Sequence, residues 1–192
     1  MVKVYQFQDL HQLWQNKDMK ALHSRSLWSR VLIILGSLAM VVGAIDPMEG
    51  AAIILPGSLL VALGTCLGPF DRRLIAYRVT DFLLIAFGVG AMWILSAAGG
   101  IGGKSGLSMW WGVLILPYLV GWSMGMWGPG SPRWLLVSGI GVSLWYLVIV
   151  EKVLRHSKPD GGSLVVLVLA LTSLLTIAGC LRRLIVRIPK PS

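Results

Sequence analysis

Two apolar stretches without a charged side chain lie between Arg30 and Phe70, and they constrain the fold more than any other feature. No charge falls between Arg30 and Asp46, or between Glu49 and Asp71. The short acidic turn DPMEG separates the two stretches. A helix needs about 20 apolar residues to cross a bilayer core, with a range of about 17–25. The pattern therefore predicts a membrane hairpin of two helices.

The composition places the whole chain in the same class. Only 13% of its 192 residues are charged, and its mean hydropathy is +0.77. A soluble domain carries about 25% charged residues, so this chain has too little polar surface for a soluble globule. The net charge of +9 lies in predicted loops and tails, which favours a basic membrane face beside anionic lipid over nucleic-acid binding. Cys66 and Cys180 fall inside apolar segments, so no disulfide framework is indicated.

Further apolar segments follow the first hairpin, and we predict six membrane-spanning helices in all. The segments cover roughly 30–45, 51–69, 82–99, 108–127, 134–150 and 163–181. Consecutive segments pair as hairpins over about 30–69, 82–127 and 134–181. The predicted fold class is an all-α membrane protein of three repeated hairpins, with an amphipathic interfacial helix at the N-terminus.

Three regions follow from this reading. Residues 1–27 form a cytoplasmic interfacial segment, in which Phe7, Leu10 and Trp14 recur at helical spacing. A loosely ordered polar tail is the alternative for this segment. Residues 28–182 form the six-span bundle, and residues 183–192 form a basic cytoplasmic tail.

Lysine and arginine set the predicted orientation. If the N-terminus is cytoplasmic, 13 of the 17 Lys and Arg residues fall on the cytoplasmic side. Cytoplasmic loops carry an excess of these residues in membrane proteins. We therefore expect a multi-pass protein of the bacterial cytoplasmic (inner) membrane, with both termini in the cytoplasm.

Glycines and prolines recur at related positions in the predicted hairpins. Pro56 is followed by Gly64 eight residues later, and Pro117 is followed by Gly125 at the same distance. These prolines predict kinks in the second and fourth spans, or an opening for a binding site. Small residues let membrane helices approach closely. The glycines that we expect to mediate helix packing are Gly43, Gly57, Gly64, Gly68, Gly121 and Gly125.

One arrangement in the first hairpin resembles that of a known family. Gly43 closes the first span, Pro47 opens the turn, and Gly57 and Gly64 line the second span. This pattern is similar to that of the acid-resistance membrane protein family (HdeD-like), whose members consist of three repeated hairpins. The tryptophan-rich fourth and fifth spans depart from that family. The resemblance implies a non-enzymatic, stress-linked role, and it supplies no catalytic residues.

Candidate chemistry along the chain is sparse. The segment AGGIGGKS at 98–105 nearly matches a phosphate-binding loop, but it joins two predicted spans and does not follow a buried strand. No pair of histidines has the spacing of zinc ligands. Asp81 and Arg78, like Glu151 and Arg155, are expected to be charge pairs at span ends. We therefore predict no catalytic residue, no metal site and no cofactor.

These observations favour a protein that is not an enzyme. The leading hypothesis is a stress-response or accessory membrane protein, or a structural subunit of a larger membrane complex. Its expected partners are the lipid bilayer and other membrane subunits or a second copy of itself, without nucleic acid. The alternative is a small facilitator with an uncharged path between the kinked second and fourth spans. A membrane enzyme is the weakest class, because no buried acid, base and nucleophile occur together.

Overall fold

The described structure is entirely helical. A computed structural model describes residues 25–46, 49–100, 109–156 and 163–186. Most of the predicted interfacial segment and the last residues of the predicted tail lie outside these ranges. The described helices are α1 (Arg25–Gly43), α2 (Ala51–Leu67), α3 (Arg72–Ala97), α4 (Leu116–Trp127), α5 (Arg133–His156) and α6 (Ser163–Val186). A short 3-10 helix, Met109–Ile115, leads into α4.

Four of these helices are long and apolar enough to cross a membrane. They contain the stretches Arg25–Gly43, Arg72–Ala97, Arg133–Arg155 and Val166–Val186. The all-α class of the protein and its multi-pass character are thereby confirmed. The apolar helices Ala51–Leu67 and Trp111–Trp127 are shorter. At about 1.5 Å per α-helical residue and about 2.0 Å per 3-10 residue, they are about 26 and 28 Å long, slightly less than the bilayer core of about 30 Å.

The helices α1 and α2 form a tight antiparallel hairpin around glycines. A Cβ atom on Gly57 would lie 2.9 Å from Gly36 O, and a Cβ atom on Gly64 would lie 2.9 Å from Ser29 O. Ser29 Oγ also donates a hydrogen bond of 2.6 Å to Gly64 O. The backbones of the two helices therefore approach each other at two levels, two helical turns apart.

The helices α3 and α4 repeat this register. Gly88 packs against the backbone of Tyr118, and Gly125 packs against the side chain of Asp81. In both hairpins the paired positions are seven residues apart on each helix. Gly179, the corresponding glycine of the third hairpin, instead packs against Trp127 of α4. The contact register of the first two hairpins therefore does not extend to this position in the third.

The helix α4 lies at the centre of the bundle. It packs against α3, α5 and α6. Trp122 Nε1 also approaches Met40 O of α1 at 3.4 Å. Half of its residues are buried, namely Tyr118, Gly121, Trp122, Ser123, Gly125 and Met126. The helices α5 and α6 run antiparallel to each other, and α2 packs against α3.

The start of α3 corrects the predicted boundary of the third span. The apolar run predicted a start near residue 82, whereas α3 begins at Arg72. Arginine is a good helix former, so Arg72, Arg73 and Arg78 do not interrupt the helix. The additional turns bring charged side chains inside the bundle.

Candidate functional site

The guanidinium group of Arg78 lies in a cage of three oxygen atoms at the end of α4 and in the turn that follows it. Its Nη1 donates to Gly125 O at 3.1 Å, and its Nη2 donates to Pro129 O at 3.2 Å and to Ser131 Oγ at 3.1 Å. The last carbonyls of a helix lack partners within the helix and form the negative end of its dipole. The planar guanidinium offers five donors to such a cage. Arg78 thus connects α3 to the end of α4 and to the turn that leads to α5.

Asp81 lies one turn further along α3 and is 1% exposed. Its Oδ2 is 3.9 Å from Arg78 Nη1, which is too long for a hydrogen bond. Its Oδ1 is buried without a hydrogen-bond partner among the described residues. Gly125 provides the space for this carboxyl group, since a Cβ atom there would lie 3.1 Å from Asp81 Oδ2. Asp81 therefore balances the charge of Arg78 through space, without a direct bond.

The predicted pair of Arg78 and Asp81 forms near one end of the bundle, but both side chains are buried between helices, which was not expected. Arg78 is 6% exposed, and both side chains point into the bundle. Their spacing of three residues does place them on one helix face, and this signal was visible in the sequence. The burial of the two side chains was not predicted because the third span was expected to begin after Asp81. By contrast, the predicted pair of Glu151 and Arg155 forms on the surface of α5, as expected.

Tyr77 strengthens the same junction from the neighbouring position. Its hydroxyl donates to Met124 O at 2.9 Å. Two consecutive residues of α3 therefore hold carbonyls in the last turn of α4. This junction thus combines a buried ion pair with two hydrogen bonds from α3 to the last turn of α4 and two to the turn that follows it.

A second polar feature is a small pocket that contains hydroxyl groups. Its volume is about 30 Å³. The lining residues come from the end of α1 and from α4, α5 and α6, and they are Ala44, Tyr118, Leu119, Trp122, Ser123, Tyr146, Leu169, Thr172 and Ser173. Neither Arg78 nor Asp81 lines it. The charged pair and the pocket are therefore separate features of the bundle.

The glycines predicted to mediate packing all occupy close contacts. At each of them, a Cβ atom would come within 2.5 to 2.9 Å of a neighbouring residue. They are Gly43, Gly57, Gly64, Gly68, Gly121 and Gly125. A larger side chain at any of these positions requires its neighbours to move. At Gly90 and Gly141, by contrast, no described residue lies within 4 Å of such an atom.

The two prolines occupy different structural positions. Pro56 lies inside α2 with its side chain exposed. Pro117 is the second residue of α4, at its junction with the 3-10 helix. A proline in the first turn of a helix removes no internal hydrogen bond, so Pro117 does not need to kink α4. The pocket described above has no lining residue from α2 and therefore does not lie between the second and fourth helices.

Three tryptophans within the helices differ in exposure. Trp122 is buried in the core. Trp93 and Trp145 are 53% and 56% exposed on the outside of the bundle. Cys66 is exposed and Cys180 is buried, and neither forms a disulfide.

Within the described ranges, no group of three His, Cys, Asp or Glu side chains suited to a metal ion occurs. His11, His23 and most of the segment 98–105 lie outside these ranges. Comparisons with protein families, with characterised proteins and with solved structures found no match for this chain.

Proposed function

We propose that this chain is a non-catalytic integral membrane protein that serves as an accessory or structural subunit of a membrane assembly. In this proposal all six helices cross the bacterial cytoplasmic membrane as three hairpins, with both termini inside. The stress-linked role depends only on the resemblance of Gly43, Pro47, Gly57 and Gly64 to the acid-resistance family.

The main support for the proposal is the set of contacts that the buried pair of Arg78 and Asp81 makes within the bundle. An ionisable side chain inside a membrane bundle is a candidate for binding or proton transfer. In this bundle the donors of Arg78 bind backbone and hydroxyl oxygens at the end of α4. Neither member of the pair faces the pocket. The charge therefore serves to connect helices, which is the role expected of a structural protein.

The size of the pocket supports the same conclusion. A site for a drug-sized ligand has a volume of about 300–1,000 Å³, whereas this pocket measures about 30 Å³. It has no room for a transported solute in the described conformation. A facilitator would require the helices around it to separate.

The outer surface provides the area for association. Large apolar side chains are exposed on every described α-helix, among them Trp93, Ile94 and Leu175. Lipid covers such a surface in a bilayer, and a neighbouring subunit or a second copy of the chain can cover part of it. We therefore expect an assembly whose mass exceeds the 20.9 kDa of one chain.

Two measurements on the purified protein test this proposal together. Native mass spectrometry from mild detergent should give a defined complex above the mass of the monomer. Liposomes containing the protein should show no saturable uptake of small uncharged solutes. A uniform monomer that takes up a solute saturably, and loses this activity when Pro56 and Pro117 are replaced by alanine, would establish the facilitator instead.

A further inference from the structure

Arginines from two helices that are distant in sequence flank Tyr77 at the end of the bundle where α3 begins and α6 ends. Arg73 lies one turn before Tyr77 on the same face of α3, since residues four apart in a helix share a face. Arg183 of α6 lies close enough to the Tyr77 hydroxyl to interact with it electrostatically. We call these three side chains the α3–α6 corner.

Helix packing brings Arg183 to this position. Gly179, one turn earlier on the same face of α6, packs against the ring of Trp127 at the end of α4. The ring of Tyr77 packs against Gly128, the next residue of the chain. The α3–α6 corner is therefore formed by helices that both contact the end of α4.

The corner holds positive charge without a matching negative charge. Arg73 is exposed and Arg183 is half-buried. No ion pair within the described ranges joins either of them to an acidic side chain, including that of the nearby Asp71. A guanidinium group presents its donors in a planar fork that matches the oxygens of a phosphate group. The corner is therefore suited to an anion with several oxygen acceptors.

The length of α3 places the corner at the level of the lipid headgroups. With 26 residues, α3 is about 39 Å long, which exceeds the bilayer core of about 30 Å. Its last turns are apolar up to Ala97, whereas Arg72 and Arg73 begin the helix, so the additional turns leave the core at the arginine end. An excess of arginine in cytoplasmic segments does not require arginines of two distant helices to flank one aromatic ring.

We propose that the α3–α6 corner binds the phosphate group of an anionic phospholipid, with Arg73 and Arg183 as donors to its oxygens. Basic pockets between membrane helices hold anionic headgroups in this way. The acyl chains of the lipid then lie against the exposed apolar surface of the bundle. This binding goes beyond the function proposed above and does not depend on the assembly of several subunits.

Native mass spectrometry of the detergent-purified protein tests this proposal, with equal amounts of phosphatidylglycerol and phosphatidylcholine that carry the same acyl chains. We expect phosphatidylglycerol to bind preferentially, because it lacks the choline cation that competes with the arginines for the phosphate. Arg183→Gln should reduce this preference about fivefold, the contribution of one basic side chain beside anionic lipid. Arg30→Gln removes the same charge from an exposed position at the start of α1, and it should leave the preference unchanged.

A second variant keeps the test decisive if Arg183→Gln folds poorly. Arg73→Gln changes an exposed side chain and should reduce the preference by a similar factor, while thermal unfolding verifies the fold. Equal binding of the two lipids would overturn the proposal, and so would equal losses in Arg30→Gln and Arg183→Gln, which indicate a diffuse attraction. Displacement of the lipid by inorganic phosphate, but not by chloride at the same ionic strength, would show a site for a free anion instead. None of these results changes the mass of the complex, which tests the assembly separately.

Discussion

The buried contacts of Arg78 should make this residue important for the stability of the bundle. It is almost fully buried and contacts three oxygen atoms at the end of α4. Replacing it by alanine leaves the charge of Asp81 uncompensated in the interior. Removing one partner of a buried pair costs about 3–5 kcal/mol in soluble proteins. We expect Arg78→Ala to lower the free energy of unfolding by this order, measured by denaturant titration in micelles.

The surface pair on α5 provides the matched control. Arg155 and Glu151 are 73% and 58% exposed at their side chains. An exposed pair contributes about 0–1 kcal/mol, so Arg155→Gln should change stability by no more than that. Equal effects of the two substitutions would mean that the cage around Arg78 does not contribute to stability.

The sequence allowed the pairing of Arg78 with Asp81 to be predicted, but it did not allow the burial of their side chains to be predicted. The pairing follows from their spacing, whereas burial depends on where α3 begins and on what packs against it. The oxygens that hold Arg78 belong to Gly125, Pro129 and Ser131, about fifty residues further along the chain. No local pattern reports a contact of this kind.

Among the elements, the hairpin of α1 and α2 depends on close glycine contacts. A Cβ atom on Gly36 would collide with the carbonyl oxygen of Gly57 and lie 2.9 Å from Val61 N. Backbone atoms cannot yield as a flexible side chain can, so the helices must separate. We expect Gly36→Ala to lower the thermal unfolding temperature of the purified protein. The separation should also reduce disulfide formation between cysteines introduced on facing positions of the two helices.

Gly90 offers a control for that substitution within another helix. No atom of the described residues lies within 4 Å of a Cβ atom at this position. Alanine favours a helix over glycine by about 0.5–1 kcal/mol, so Gly90→Ala should be neutral or slightly stabilising. If both substitutions had the same effect, backbone approach would not be what the glycine at position 36 provides.

The apolar pattern of the sequence predicts the positions of the helices better than it predicts their ends. Every predicted apolar segment overlaps a described α-helix, because a long uncharged run in a membrane has few other structures available to it. The ends were predicted less well, since α3 extends over charged residues and the segment before α4 begins as a 3-10 helix. The similar spacing around Pro56 and Pro117 predicted equal roles, but Pro117 starts a helix while Pro56 lies within one.

For the whole molecule, the charges divide between the two ends of the bundle. One end holds eight described arginines and two aspartates, and these are Arg25, Arg30, Arg72, Arg73, Arg78, Arg133, Arg182, Arg183, Asp71 and Asp81. The other end holds Asp46, Glu49, Glu151, Lys152 and Arg155. The antiparallel hairpins produce this division, since each turn between hairpins returns to the arginine-rich end.

This division predicts the orientation of the protein, because segments rich in arginine are retained in the cytoplasm. The test uses single cysteines in a background where Cys66 and Cys180 are replaced by alanine. Glu49→Cys, at the exposed turn between α1 and α2, should react with a membrane-impermeant maleimide on intact cells. Arg133→Cys, exposed at the start of α5, should react only after permeabilisation. The reverse result would invert the bundle and place its arginines outside, whereas labelling of both positions on intact cells would mean that the helices between them do not separate two compartments.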